Sequence, residues 1–211
     1  MFFFFGHILS HLIVPQSNEA TAPMFTFEVK HGVKWLKIFH QKAPNFFDNI
    51  NDAEYSLKEG MFSILKVIGS QYKIHGRFEF LLEYPGFGFN RWLQNIFPLE
   101  ELSVCNGKLV EGFEAINLTW NYIEGVQDSA FLGLGLSNDG GSTLIDGVSS
   151  GWYFAIGQAN RNWGYGAIAG PFNNNSIEEV LLWVRVSDFS FEKRCSSLRV
   201  QTVLIPSLIE I

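Results

Sequence analysis

Cysteine is almost missing: only Cys105 and Cys195 occur in 211 residues. So low a count excludes a disulfide-dense scaffold. An even pair in an exported chain favours one long-range bridge, and the alternative is two buried thiols. Charge is scarce too, since Asp, Glu, Lys and Arg make up 17% of the chain and leave a formal net charge of −6. Without a basic cluster to neutralise phosphates, nucleic acid is excluded as an expected partner. No apolar run is long enough to cross a bilayer as a helix, which takes about 20 residues. The longest candidate, Met1–Val14, fits the core of a signal peptide covering residues 1–22 and ending in the small-x-small pattern Ala20-Thr21-Ala22. No Lys or Arg precedes this run and Pro23 follows the cut, so a buried N-terminal strand or a misassigned start is the competing reading.

Aromatic residues are abundant, with 21 Phe, 6 Trp and 6 Tyr. That content suits a strand-rich core and argues against disorder. The length fits one domain, residues 23–211, able to bury its own core. From Phe25 onward, short runs of period near two are separated by Gly, Asn, Asp and Pro, the pattern of an antiparallel β protein. Strands are expected at Phe25–Lys30, Trp35–His40, Gly76–Tyr84, Phe113–Trp120, Ser129–Gly135, Ser142–Asp146, Tyr153–Gly157, Ile177–Val186 and Leu198–Leu204. The expected fold class is mainly all-β, an antiparallel two-sheet sandwich or jelly roll with one or two short helices. Leu57, Phe62, Ile64, Leu65 and Ile68 are spaced more like a helix, which places the main helix candidate at Asn51–Ile68.

An ordered series runs through the chain: Trp35-Leu36-Lys37-Ile38-Phe39, Tyr55-Ser56-Leu57-Lys58, Phe62-Ser63-Ile64-Leu65, Phe89-Asn90-Arg91-Trp92-Leu93-Gln94, Gly112-Phe113-Glu114-Ala115-Ile116, Ile145-Asp146-Gly147, Trp152-Tyr153-Phe154-Ala155-Ile156-Gly157, Ile168-Ala169-Gly170-Pro171 and Leu182-Trp183-Val184-Arg185. It resembles an uncharacterised secreted domain of large extracellular multidomain proteins of marine invertebrates. The resemblance covers about residues 33 to 186 and departs from the pattern at Phe97, where Asn is expected. It implies an extracellular, fibrinogen-like or lectin-like setting and no catalytic residues.

Chemistry-bearing residues are dispersed. His31, His40 and His75 each stand alone, no His-Glu-x-x-His occurs, and no catalytic residue is expected. Glu79, Glu83, Glu100, Glu101, Glu114 and Glu124 can hide a glycosidase pair, and Glu79 and Glu83 share one strand face. On a sheet with one wet side such carboxylates are more simply a solvated face. Leu132-Gly133-Leu134-Gly135-Leu136 lacks the lysine and following helix of a phosphate loop and reads as a strand with glycine bulges. Asn138-Asp139-Gly140-Gly141 reads as a hairpin turn, with Asp128, Asn138, Asp139 and Asp146 as a weaker Ca²⁺ alternative; otherwise neither metal nor cofactor is expected. Asn117 and Asn174 head N-glycosylation triplets.

The remaining signal is the stretch 151–171, where Trp163 and Tyr165 follow Asn160, Arg161 and Asn162 among glycines. Rings flanked by amides suit a sugar, whose C–H face stacks on the ring while its hydroxyls bond the amides. The alternative is a loop folded back with Trp163 plugging the core. The expectation is therefore a secreted, extracellular binding or adhesion module that recognises a glycan or protein through aromatic-rich loops. A glycoside hydrolase using strand carboxylates and a self-associating matrix domain are the rivals.

Overall fold

The computed structural model describes residues 25–103, 108–122, 130–138, 142–147, 154–159, 168–171 and 177–187. Among the described residues ten strands run in order: β1 Phe27–Lys30, β2 Val33–Lys42, β3 Ser56–Lys58, β4 Met61–Ser63, β5 Phe78–Tyr84, β6 Gly88–Gln94, β7 Glu114–Leu118, β8 Gly135–Leu136, β9 Ile145–Asp146 and β10 Glu179–Arg185. Single 3₁₀ turns lie at Ile50–Ala53, Leu65–Val67, Ser70–Tyr72 and Glu101–Ser103. The fold is mainly β, as the alternation predicts. Its main sheet is antiparallel, in order β3-β4-β2-β10-β5-β6-β7, with β1 also on β2; β8 and β9 form a second, two-stranded sheet.

β2 is long enough to serve two partners on one edge, β1 beside Val33–Leu36 and β4 beside Phe39–Gln41. On its other edge β10 pairs Trp183 with Lys37 and Leu182 with Phe39, which leaves Ile38 as a bulge. The extra residue flips the alternation, so Ile38 and Phe39 are both buried in the main core. That core joins Leu36, Phe78, Phe80, Leu82 and Trp92 from the sheet to Phe131, Leu134, Ile145, Phe154 and Ile156 from the second layer. Phe131 is its hub, edge-on to Trp92 at 4.9 Å and to Phe154 at 5.0 Å.

The helix expected at Asn51–Ile68 does not form. β3 and β4 make a hairpin there, with Leu57 directly opposite Phe62 and the turn closed by Gly60 at φ +72°. The apolar spacing that imitates a helix is a cross-strand pair, and a glycine with positive φ fits a turn better than a helix interior. β6 was not among the expected strands, and the segments around 130–135 and 153–157 are less regular than their sequence suggests. Among the described residues Gly135–Leu136 alone forms a strand in the first, and the second forms the bridge of Ile156 to Ile145. The expected strand Leu198–Leu204 lies outside the described residues.

Candidate functional site

Buried carboxamides fasten the second layer to the sheet. On β6, Gln94 Oε1 accepts from Trp92 Nε1 (2.7 Å) and the Leu134 amide (3.1 Å), while Nε2 donates to the carbonyls of Ile96 (2.6 Å) and Leu134 (3.0 Å). Asn90, two pleats earlier, exchanges both bonds with the backbone of Trp120, donating at 2.8 Å and accepting at 3.0 Å. At the other end of the molecule Gln41 Nε2 donates to the carbonyls of Asn45 (3.1 Å) and Gln158 (2.8 Å), and its Oε1 accepts from the Gln158 amide (3.0 Å). Gln158 in turn accepts from the Ala169 amide through Oε1 at 2.9 Å and from the Phe47 amide through its carbonyl at 3.3 Å. All four side chains are buried, where unpaired amides would be costly.

The segment 160–167, which carries Asn160, Arg161, Asn162, Trp163 and Tyr165, lies outside the described residues, but its two flanks do not. Gln158 holds both: one flank is its own backbone, clamped by Gln41, and the other is Ala169. Gly157 lets this happen. Its φ is +78°, and a Cβ there would stand 2.7 Å from Ala53 Cβ and 2.9 Å from Leu144 Cβ. Gly170 is equally tight against the side chain of Ile177. The Ala155-Ile156-Gly157 and Ile168-Ala169-Gly170 segments thus mark close backbone approach at the two flanks, as Gln94 marks the anchor at the far end of β6.

Cys105, Cys195, Asn174, Asp128, Asp139 and Glu124 also lie outside the described residues. Asn117 is exposed on the edge strand β7. Of the Ca²⁺ alternative only Asn138 and Asp146 are described, Asp146 buried in β9, and among the described residues no three His, Cys, Asp or Glu side chains gather as a metal site. Gly133 has φ +102° and packs against Val110 and Gln94 ahead of β8, so the Leu-Gly repeat serves the Gln94 anchor. His31 and His75 both have positive φ and each precedes a glycine of the same sign, the geometry of two-residue hairpin turns; His40 Nε2 meets Glu179 Oε1 at 2.7 Å.

Glu79 and Glu83 share the outer face of β5 but do not form a solvated face. Glu79 is 3% exposed. Its Oε1 meets Arg91 of β6 (2.7 Å to Nε) and its Oε2 meets Arg185 of β10 (2.7 Å). Glu83 Oε2 accepts from Lys30 Nζ (2.6 Å) and Trp183 Nε1 (3.2 Å). Trp35, Leu81 and Trp183 form a second, small core on this face, with Lys30 lying 4.2 Å over the Trp183 ring and Arg91 5.5 Å over Trp35. The alternation leads to charged residues here, but their long stems cover apolar rings and their charges cancel in pairs. Four residues along a strand put the two carboxylates on the order of 13 Å apart, beyond the roughly 5–9.5 Å of a glycosidase pair. Of the other carboxylates, Glu100 accepts from the Phe97 amide and Glu114 pairs with Arg77.

One letter pattern runs against the expectation of no catalytic residue: Gly147-Val148-Ser149-Ser150-Gly151 spells Gly-x-Ser-x-Gly. A nucleophile elbow needs a strand turning into a helix. Here β9 ends at Asp146, directly before the pattern, and the chain next described, from Phe154, bridges back from Ile156 to Ile145. Ser149 itself lies outside the described residues.

A cleft of about 380 Å³ opens between the turn after β2 and the β3–β4 hairpin. Phe47, Asp48, Asp52, Tyr55, Ser56 and Lys58 line it, with Leu57 and Met61 completing the wall. Asn49 caps the Ile50–Ala53 turn, accepting from the Asn51 and Asp52 amides, and its Nδ2 donates to Asp52 Oδ2 at 2.9 Å. The sequence series contains Tyr55-Ser56-Leu57-Lys58 but gives no sign of a cleft, which exists only once the hairpin replaces the expected helix.

Elsewhere, the Tyr84 hydroxyl is buried without a hydrogen-bond partner, and burial together with the nearby Asp146 charge pushes its pKa well above the usual tyrosine value. No protein-family model, curated protein or solved structure matches the chain. No helix among the described residues is long and apolar enough to cross a membrane.

Proposed function

We propose that the protein is a secreted, extracellular binding or adhesion module that recognises a glycan or a protein through its aromatic-rich loop, Asn160 to Tyr165. The observation that carries this reading is the Gln41–Gln158–Ala169 bond set, which draws both flanks of that loop together at one end of a rigid sheet. Loops held on such scaffolds are where binding residues concentrate. The pairing of Glu79 and Glu83 with cations supports binding over hydrolysis, because neither carboxylate is available as acid or base without breaking buried ion pairs. Trp163→Ala tests the reading. A ring presented to ligand can be removed with the thermal midpoint nearly unchanged and binding on a glycan array lost; a ring plugging the core costs about 3–5 kcal/mol on truncation, and a collapsed midpoint would end the proposal.

A further inference from the structure

We infer that the cleft bounded by Phe47, Asp48, Asp52, Tyr55 and Lys58 is a second binding site, and that its ligand is an uncharged sugar residue. Three observations converge. The volume, about 380 Å³, falls in the roughly 300–1,000 Å³ range of small-molecule sites. Tyr55 lies in the wall with 41% of its surface exposed, so its ring offers a stacking face that the fold leaves unused. Around it stand groups of both hydrogen-bonding senses: Asp48 and Asp52 accept, Lys58 donates, and Ser56 does both.

The side chains of Asp48, Tyr55 and Lys58 carry no hydrogen bond or ion pair within the described protein, and Asp52 is steadied on one oxygen by Asn49. The neighbouring Glu54 is taken up by Lys66 at 3.1 Å, so the free groups are those facing the cleft. Mixed charge selects the ligand class. An anionic ligand meets two carboxylates, a cationic one meets Lys58, and a neutral polyhydroxylated ring, each of whose hydroxyls both donates and accepts, matches every group. The site stands independently of the Asn160–Tyr165 loop, although Phe47 touches both regions by lining the cleft and donating its amide to Gln158.

The test is saturation-transfer NMR on the full chain with methyl glycosides of glucose, galactose, mannose and N-acetylglucosamine, and with glucosamine and glucuronate as charged counterparts. The expected result is transfer to at least one neutral glycoside. That signal should weaken at least tenfold in Tyr55→Ala, weaken in Asp52→Asn, survive largely in Tyr55→Phe and be unaffected by Trp163→Ala. Since Tyr55 is exposed, both Tyr55 variants should melt with the wild type. The inference is overturned if no neutral glycoside binds, if a charged counterpart binds more tightly, if Tyr55→Ala binds like wild type, or if the probe is hydrolysed. Loss of binding in Trp163→Ala with Tyr55→Ala intact would assign the sugar to the loop instead.

Discussion

A primary carboxamide has two donor hydrogens and two acceptor lone pairs, and Gln94 has all four engaged while fully buried. Truncation leaves the Trp92 indole N–H, both backbone groups of Leu134 and the Ile96 carbonyl without partners. At about 1–3 kcal/mol for each stranded buried group, partly recovered by relaxation and water, Gln94→Ala should cost at least about 3 kcal/mol in urea denaturation. A loss below 1 kcal/mol would mean that this anchor does not hold the second layer. Tyr84 is the opposite case, a buried hydroxyl with no partner. Tyr84→Phe should leave stability at neutral pH unchanged or raise it by about 1 kcal/mol. The folded-state pKa is raised, so the unfolded chain ionises first. The stability Tyr84 contributes is complete below the ordinary value of 10.0 and is lost as pH climbs through and past it. Denaturation midpoints from pH 8 to 11 should therefore fall more steeply in the wild type than in the variant.

Elements differ in how far they announce themselves. β1, β2, β5, β7 and β10 are legible because each is a run of four or more residues in alternating or continuous apolar pattern, and β5 and β10 read as strands although they are largely buried on both faces. β3 and β4 were not, since three-residue strands give too few alternations and Leu57 and Phe62 match a helix spacing as well as a cross-strand pair. The candidate site was less legible still. Gln41, Gln94 and Gln158 look like surface residues until their partners, up to 117 positions away, are known. The glycines separate by the same test. Gly157 combines positive φ with contact to Ala53 and Leu144, so Gly157→Ala should cost about 3 kcal/mol or more. Gly32, at φ +72° with nothing within 4 Å, should cost only about 1–2 kcal/mol on the same change. Equal thermal shifts for the two variants would contradict the tight packing beneath the loop.

For the whole molecule, the buried faces of one antiparallel sheet explain the aromatic-rich, charge-poor composition: the inner face carries the main core and the outer face hides Trp35 and Trp183 beneath paired charges. If the chain is exported, Cys105 and Cys195 should be bonded, and non-reducing mass spectrometry should find no free thiol. The chain-entropy contribution of so long a loop is at most about 4–5 kcal/mol. Two free thiols would argue against both the bridge and the extracellular setting. The central claim is that the Gln158-anchored loop is a binding surface on a scaffold that folds without it. The most direct measurement is a glycan and extracellular-protein array probed with wild type and with Trp163→Ala of matching thermal midpoint. The account predicts a defined ligand for the wild type and its loss in the variant; a variant that unfolds, or binds as the wild type does, would contradict it.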